Sequence, residues 1–188
     1  MKKVAFIGAG SLQFTTSCVR DLLTFPSFKE CEFALMDINP DNLAAIKKIV
    51  EKILLEMNCE KCRVTVTSDR TEALKGADGV LCTVFNGDID VWENDIIIPK
   101  KYGVDINIGD TRSVSGIFRA LRNIPLMLDI CRDIEKYCPR AVFFELYKPH
   151  VDVVRSHAEI FGRGSDGIVP QRAAHHRNAV AVAQCAVR

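Results

Sequence analysis

Short apolar runs alternate with amphipathic stretches along most of this chain, a pattern typical of strands that alternate with helices. The apolar and alternating runs predict strands near residues 3–7, 32–37, 63–67, 79–84 and 141–144. Amphipathic stretches predict helices over 11–24, from Asn39-Pro40-Asp41 onward, over 71–75 and around Arg119. The alternation therefore predicts an α/β fold with a doubly wound parallel sheet, whose ligand binds at the carboxyl ends of the strands.

The helix that begins at Asn39-Pro40-Asp41 shows a strong amphipathic pattern. Its apolar residues recur at helical spacing and share one face: Leu43, Ile46, Ile49, Val50, Ile53 and Leu54. This is the face that we expect the helix to bury.

The first strand ends in glycines and the second ends in an acid. Gly8 can make a sharp turn, Gly10 lets a pyrophosphate approach the main chain, and the helix that opens at Ser11 directs its N–H groups at the phosphates. The acid, Asp37, can accept hydrogen bonds from both ribose hydroxyls and would repel a 2′-phosphate, which favours NAD over NADP. Gln13 occupies the third glycine position of the usual pattern, so a tight turn without a ligand stays an alternative.

Two further segments carry polar residues of interest. Asn86 and Gly87 directly follow the fourth predicted strand and so fall at the ligand-binding edge of the sheet. Farther along, a loop with Asp110 leads into a helix carrying Arg119 and Arg122, which are three residues apart and therefore neighbours on its surface. This cluster could hold a sugar or a phosphate. From spacing alone, Asp110 could equally cap the helix while the arginines form a solvated face.

Composition limits the classes of partner. The 188 residues are 48% hydrophobic and 26% charged, which is enough for one domain with a sizeable core. A net charge of +1 gives no attraction to nucleic acid or to a membrane surface. The apolar runs are too short to span a bilayer, and the start of the chain lacks the cleavage site of a signal peptide.

Eight cysteines bear on the compartment and on metal binding. Four of them lie within apolar patterns, which indicates buried free thiols in a reducing cytoplasm: Cys18, Cys31, Cys82 and Cys131. Cys59-Glu60-Lys61-Cys62 has the spacing of half a zinc site. Since no second pair is placed to complete four ligands, an ordinary loop between a helix and a strand is the favoured interpretation.

The most specific signal lies between residues 109 and 125. The segments Gly109-Asp110-Thr111 and Gly116-Ile117-Phe118-Arg119-Ala120-Leu121-Arg122, with the glycine loop, Ala34-Leu35-Met36-Asp37-Ile38 and Ala77-Asp78-Gly79-Val80, resemble family 4 of the glycoside hydrolases. Within this family, residues 109–125 are most similar to the α-galactosidases. The resemblance covers residues 1–144. One departure is Arg112-Ser113-Val114-Ser115, where the family has a glycine-rich loop.

The resemblance implies a Rossmann-like NAD-binding domain in a glycosidase that acts on a small-molecule glycoside. Members bind NAD and a divalent metal, commonly Mn²⁺, and depart from the scheme of two catalytic carboxylates. NAD⁺ takes a hydride from C3 of the sugar, a base removes the acidified C2 proton, the glycosidic oxygen leaves, water adds, and the hydride returns. The metal polarises the C2 and C3 oxygens. Family members are typically homo-oligomers.

The resemblance also implies site residues. Those that match the cofactor loop and the ribose acid, or lie at the predicted cofactor edge, are Gly8, Gly10, Ser11, Asp37 and Asn86. Asp110 and Arg119 match the loop and the helix near the sugar. We expect neither catalytic residues nor metal ligands in this chain, because the family's Asn-Tyr-x-Asn-Pro and Cys-His-Ser motifs, and its later His and Tyr, have no counterpart here.

After Phe144 the resemblance ends, and the chain becomes rich in Arg, His and Ala without periodicity. Read one base later, codons for Glu145-Leu146-Tyr147-Lys148-Pro149 can encode Asn-Tyr-Ile-Asn-Pro, and codons for residues 167–171 can encode Leu-Cys-His-Ser. Two family motifs in one shifted frame predict that residues 145–188 are an out-of-frame tail, disordered or irregular, after an NAD-binding domain at 1–144. Four residues of this tail are then not metal ligands: His157, His175, His176 and Cys185.

The sequence leaves several functions open. The favoured one is an α-galactosidase for the intact gene product, with a 6-phosphoglycosidase of the same family next, and an inactive cofactor-binding fragment for this chain. An NAD-binding module without activity is the second class. A dehydrogenase of the malate or lactate type is the third, although the histidine and arginines of that class have no match on corresponding elements.

Overall fold

The computed structural model describes residues 1–106, 109 and 113–146. In chain order its elements are β1 (Lys2–Ile7), α1 (Leu12–Leu23), β2 (Cys31–Met36), α2 (Pro40–Glu56), β3 (Arg63–Thr67), α3 (Arg70–Leu74), β4 (Gly79–Cys82), α4 (Ile89–Lys101), α5 (Val114–Tyr137) and β5 (Val142–Glu145). A 3-10 turn at Pro26–Phe28 precedes β2. The described residues fall into two compact units, the first formed by Met1–Thr83 with Asp133–Glu145 and the second by Val84–Arg132 with Leu146.

The first unit contains a five-stranded sheet in the order β3-β2-β1-β4-β5, and every neighbouring pair of strands is parallel. Phe6 of β1 lies opposite Leu35 of β2 on one side and Leu81 of β4 on the other. The strand order therefore reverses direction at β1, and the carboxyl ends of β1 and β4 border the place where such sheets bind ligands. The predicted doubly wound parallel sheet is confirmed, with each strand within two residues of its predicted bounds.

The core of the first unit is built from apolar side chains of β1, β2 and the helices that cover them. Phe6 and Phe33 are almost fully buried and meet edge to face, with ring centroids 6.2 Å apart. Ile46 and Ile53 of α2 are buried to a similar degree. Burial of each such side chain stabilises the fold by about 2–3 kcal/mol relative to leaving it in water.

Helix α2 begins and packs largely as its sequence predicts. The Asn39 side-chain oxygen accepts hydrogen bonds from the N–H groups of Asp41 and Asn42 at 2.9 and 3.2 Å, which caps the helix. Five of the six predicted apolar residues are buried, but Ile49 is 36% exposed, so the prediction is wrong there. At about 100° per residue, Ile49 lies about 90° from the centre of the stripe that the other five form.

The second unit contains a helix that the sequence interpretation did not include. Helix α4 begins where the Asp88 side chain accepts a hydrogen bond from the Val91 N–H at 2.9 Å, and it ends with Lys100 and Lys101 in its last turn. Helix α5 is 24 residues long and contains Pro125. Across the described part of the chain, no helix has both the length and the apolar character needed to cross a membrane.

Candidate functional site

The chain turns sharply at Gly8, directly after β1. Gly8 has a φ of +85°, and its N–H group and that of Ala9 both donate to the Met36 carbonyl oxygen at 2.9 Å. A Cβ at Gly8 would lie 3.1 Å from the carbonyl carbon of Thr83. Both the backbone conformation and the close approach therefore require glycine, as the sharp turn predicted from sequence does.

Gly10 and Asp37 are in direct contact at the carboxyl ends of β1 and β2. The Gly10 N–H donates to Asp37 Oδ2 at 2.7 Å, and the Asn39 N–H donates to Asp37 Oδ1 at 2.9 Å. A Cβ at Gly10 would lie only 2.6 Å from Asp37 Oδ2. The half-buried carboxylate is thus fixed by two backbone donors. Because each carboxylate oxygen can accept about two hydrogen bonds, both oxygens keep capacity for a ligand hydroxyl.

Helix α1 begins beside this carboxylate with its backbone donors available. Ser11 has extended backbone angles, makes no side-chain capping bond, and donates its own N–H to the Gly8 carbonyl at 3.2 Å. The first turn of α1 contains no acidic residue. The positive end of the helix can therefore receive an anionic group such as a phosphate.

Two threonines that the sequence analysis did not single out hold the glycine loop in place. Thr83, directly after β4, donates from Oγ1 to the Gly8 carbonyl oxygen at 2.8 Å. Thr15, which is fully buried in α1, donates from Oγ1 to the Ala9 carbonyl oxygen at 2.9 Å. A signal for Thr83 was present, since the residue after a buried parallel strand falls at the ligand-binding edge.

In the second unit, Asn86 is tied to helix α5. Its N–H donates to Asn123 Oδ1 at 3.1 Å, and its Nδ2 donates to the Arg122 carbonyl oxygen at 2.8 Å. Asn123 is only 3% exposed and donates from Nδ2 to the Arg119 carbonyl oxygen at 2.8 Å. Asn123 therefore links two residues that the sequence assigned to cofactor and sugar, and it carries no sequence signal of its own.

The two arginines of α5 do not form a solvated face, so that alternative is wrong. Arg122 donates through both terminal nitrogens to Asp95, at 2.6 and 2.5 Å, and the Asp95 side chain is 5% exposed. Arg119 is 7% exposed, and its guanidinium carbon lies 5.2 Å from the centre of the Phe85 ring. Burial follows because α4 supplies an acid, and the segment after β4 supplies an aromatic face, far away in sequence from α5.

The cysteines are free thiols where the structure describes them. Cys31, Cys82 and Cys131 are buried as predicted, whereas Cys18 is only half-buried, because its side of α1 is partly open to solvent. Burial nevertheless raises the pKa of the Cys18 thiol to about 11, with a smaller contribution from the charge of Asp21.

The described residues do not assemble a metal site. Cys59 and Cys62 lie in the loop between α2 and β3, as expected for an ordinary connection. Among residues 1–106, 109 and 113–146, no group of three or more His, Cys, Asp or Glu side chains is placed to hold a metal ion.

The predicted site residues thus form two local groups. Gly8, Gly10, Ser11 and Asp37 lie together in the first unit, while Asn86 and Arg119 are joined through Asn123 in the second. Asp110 lies outside the described residues, as do residues 147–188 of the predicted tail with its histidines and Cys185.

Comparisons with known proteins give a consistent family. The sequence model of the family 4 glycosyl hydrolases matches residues 3–161. An alpha-galactosidase of Rhizobium meliloti (strain 1021) is 44% identical over 148 residues, which covers 78% of this chain and 30% of that protein. An alpha-glucosidase of Erwinia rhapontici is 35% identical, covering 78% of this chain and 32% of its own length. The chain thus spans about a third of the length of these curated relatives.

A solved structure shows the same fold. The 6-phospho-beta glucosidase of Thermotoga maritima, crystallised with manganese, NAD⁺ and glucose-6-phosphate, superposes with a TM-score of 0.79 at 22% identity. The superposition covers 91% of this chain and 39% of that one. At this identity the likeness establishes the architecture, and the bound molecules are those of the Thermotoga protein.

Proposed function

Because the chain belongs to family 4 of the glycosyl hydrolases, we propose that it supplies the NAD-binding part of an NAD- and metal-dependent α-galactosidase. The observation that carries the choice of sugar is its identity to an α-galactosidase, which exceeds its identity to an α-glucosidase. A dehydrogenase of the malate or lactate type is not carried forward, because the matching family is one of glycosidases.

The glycine loop and Asp37 fit NAD. Two positions where a Cβ would collide, Gly8 and Gly10, leave room for a pyrophosphate against the main chain, and the uncapped start of α1 faces the same place. Asp37, already fixed by two N–H groups, would accept hydrogen bonds from the ribose hydroxyls and exclude a 2′-phosphate. When bound, the cofactor would accept a hydride from C3 of the sugar and later return it.

Asn86 is the fifth residue that we assign to the cofactor. Its backbone and side-chain donors are both engaged by α5, so its side-chain oxygen is the group that remains to accept a hydrogen bond. Arg119 and Asp110 are assigned to the sugar side on the strength of the family motif. With 7% of its surface exposed, Arg119 suits a role in supporting sugar-binding residues.

Mn²⁺ is the metal that we propose for the intact enzyme, with ligands outside the residues described here. The described part of the chain offers no cluster of metal-binding side chains, so we route no step of the reaction through it. The catalytic base also belongs outside this part of the chain. We accordingly expect this chain alone to bind NAD without hydrolysing a glycoside.

The compartment and assembly are further proposals. Free cysteines at the seven described positions favour a reducing compartment, which we take to be the cytoplasm. The intact family member is proposed to be a homo-oligomer that binds a small-molecule glycoside and neither nucleic acid nor membrane. Light scattering during gel filtration measures the assembly directly.

Hydrolysis assays test the substrate. We expect no release of nitrophenol from nitrophenyl α-galactoside by this chain with NAD⁺, Mn²⁺ and a reductant. A gene product whose frame is restored after codon 144 should release it under the same conditions. Release only from a nitrophenyl 6-phosphoglucoside would contradict the α-galactosidase assignment, and release by the present chain would contradict the proposal that it lacks the base.

A further inference from the structure

Two thiols meet at the end of the sheet opposite to the cofactor edge. Cys31 is the first residue of β2, and Cys62 directly precedes β3. In the parallel pairing of these strands Glu32 lies opposite Arg63, so the same register places Cys31 opposite Cys62. Adjacent strands run about 5 Å apart, which is within the Cα separation that a disulfide spans. The two Sγ atoms are 3.9 Å apart.

The two thiols differ in access to solvent. Cys31 is completely buried, while Cys62 is half-buried and hydrogen-bonds through Sγ to the carbonyl oxygens of Phe28 and Lys29 at 3.4 and 3.3 Å. Burial, followed by the nearby Cys62 thiol, holds the pKa of Cys31 far above its usual value. A soluble oxidant therefore reaches Cys62 first, and Cys31 is placed to react second.

We propose that Cys31 and Cys62 form a reversible disulfide when the protein meets a peroxide. In the first step Cys62 sulfur attacks one peroxide oxygen, the O–O bond breaks, and a sulfenic acid and water form. In the second step Cys31 sulfur attacks the sulfenic sulfur, the S–O bond breaks, and a second water leaves with the Cys31 proton. The two thiols lose two electrons, which reduce the peroxide to water. A small thiol reverses the bond by exchange.

Cys59 is the competing partner, because Cys59 and Cys62 have the spacing of many redox pairs. Its environment argues against it. Cys59 is 2% exposed, and its sulfur donates to the Met57 carbonyl oxygen at 3.2 Å while accepting from Lys29 Nζ at 3.4 Å. Cys59 is thus held by its own partners, whereas Cys31 lies against Cys62.

The bond should leave the cofactor edge unchanged. From Cys31 to Asp37 the chain follows β2 for its whole length, a separation of about 20 Å in an extended strand. Oxidation should therefore stiffen the edge strand β3 without altering NAD⁺ affinity. This separation makes the inference independent of the proposed function.

Peptide mapping after oxidation tests the inference. The chain is treated with hydrogen peroxide, capped with an alkylating reagent, digested and examined by mass spectrometry. We expect a linked peptide pair containing Cys31 and Cys62 and the loss of two free thiols, in the wild type and in the matched control Cys59→Ser. The link should be absent from Cys62→Ser and should disappear when the wild type is treated with dithiothreitol.

Three results would overturn the inference: a Cys59–Cys62 link in the wild type, no link under peroxide, or loss of the link in Cys59→Ser. Circular dichroism of each variant shows whether it is folded. Cys62→Ser changes a half-buried side chain and is the variant expected to fold, so the test does not depend on a substitution at buried Cys31. Oxidised wild type should also melt at a higher temperature than oxidised Cys62→Ser.

Discussion

Replacing Gly10 by alanine perturbs the contact on which the proposed cofactor site depends. The new Cβ would lie 2.6 Å from Asp37 Oδ2 and 2.9 Å from both Asp37 Cγ and Asn42 Cβ, closer than real Cβ contacts occur. The backbone at Gly10 is not in the left-handed region, so the cost is steric. Asp37 must therefore move and release the 2.7 Å hydrogen bond from the Gly10 N–H.

The magnitude follows from these contacts. Crowding of a packed position costs about 1–3 kcal/mol. Water can replace part of the lost hydrogen bond because Asp37 is half-exposed, so we expect the free energy of unfolding to fall by about 2 kcal/mol. A displaced carboxylate also loses two hydrogen bonds to the ribose, worth about 1.5–3 kcal/mol together, so NAD⁺ should bind roughly 10- to 100-fold more weakly.

Urea unfolding measures the first effect, and calorimetric titration of NAD⁺ measures the second. Gly79→Ala is the matched control, because a Cβ there meets only the Val142 carbonyl oxygen, at 3.9 Å. It should retain the wild-type NAD⁺ affinity. If Gly10→Ala folds and binds NAD⁺ as tightly as Gly79→Ala does, the assignment of Asp37 to the ribose is refuted.

Further predictions concern the second unit and pH. Asp95→Ala leaves Arg122 without its carboxylate and should lower the free energy of unfolding by about 2–4 kcal/mol in urea; a loss below about 0.5 kcal/mol would contradict the structural role of the pair. Asn123→Ala removes the acceptor of the Asn86 N–H and should cost about 1–2 kcal/mol and weaken NAD⁺ binding, and unchanged affinity would remove Asn86 from the site. The pKa of Cys18 is raised in the fold from 9.0 to about 11, so the unfolded chain loses this proton first as pH rises. Stability should therefore fall between about pH 9 and 11, and less so in Cys18→Ser, as measured by urea unfolding across that range.

The cofactor edge could be predicted because its rules are local. A buried strand, a glycine turn and a helix start fix where Gly8 and Gly10 lie, and a parallel neighbour ending at Met36 brings Asp37 beside them. What the sequence did not give was the direct bond between Gly10 and Asp37. That contact depends on register between strands, which composition and periodicity do not encode.

The second unit was harder to predict because its contacts are long-range. Arg122 pairs with Asp95, 27 positions earlier, and spacing within α5 alone left burial and solvation equally open. Helix α4 was overlooked although Asp88 and the lysines of its last turn are ordinary start and stop signals. The boundary at residue 144 stays a prediction, since the matched family segment extends to residue 161.

Sequencing the gene around codon 144 tests the out-of-frame tail. A one-base change there should restore Asn-Tyr-Ile-Asn-Pro and, farther on, Leu-Cys-His-Ser in a single frame. A coding sequence in which no one-base change yields both motifs would contradict this interpretation of residues 145–188.

Calorimetric titration of the purified chain with NAD⁺ and with NADP⁺ tests the central claim most directly. The account predicts saturable binding of NAD⁺ at one site per chain and weaker binding of NADP⁺, because Asp37 would lie against a 2′-phosphate. A chain that is folded by circular dichroism and melts cooperatively, yet binds NAD⁺ no better than NADP⁺ or not at all, would contradict it.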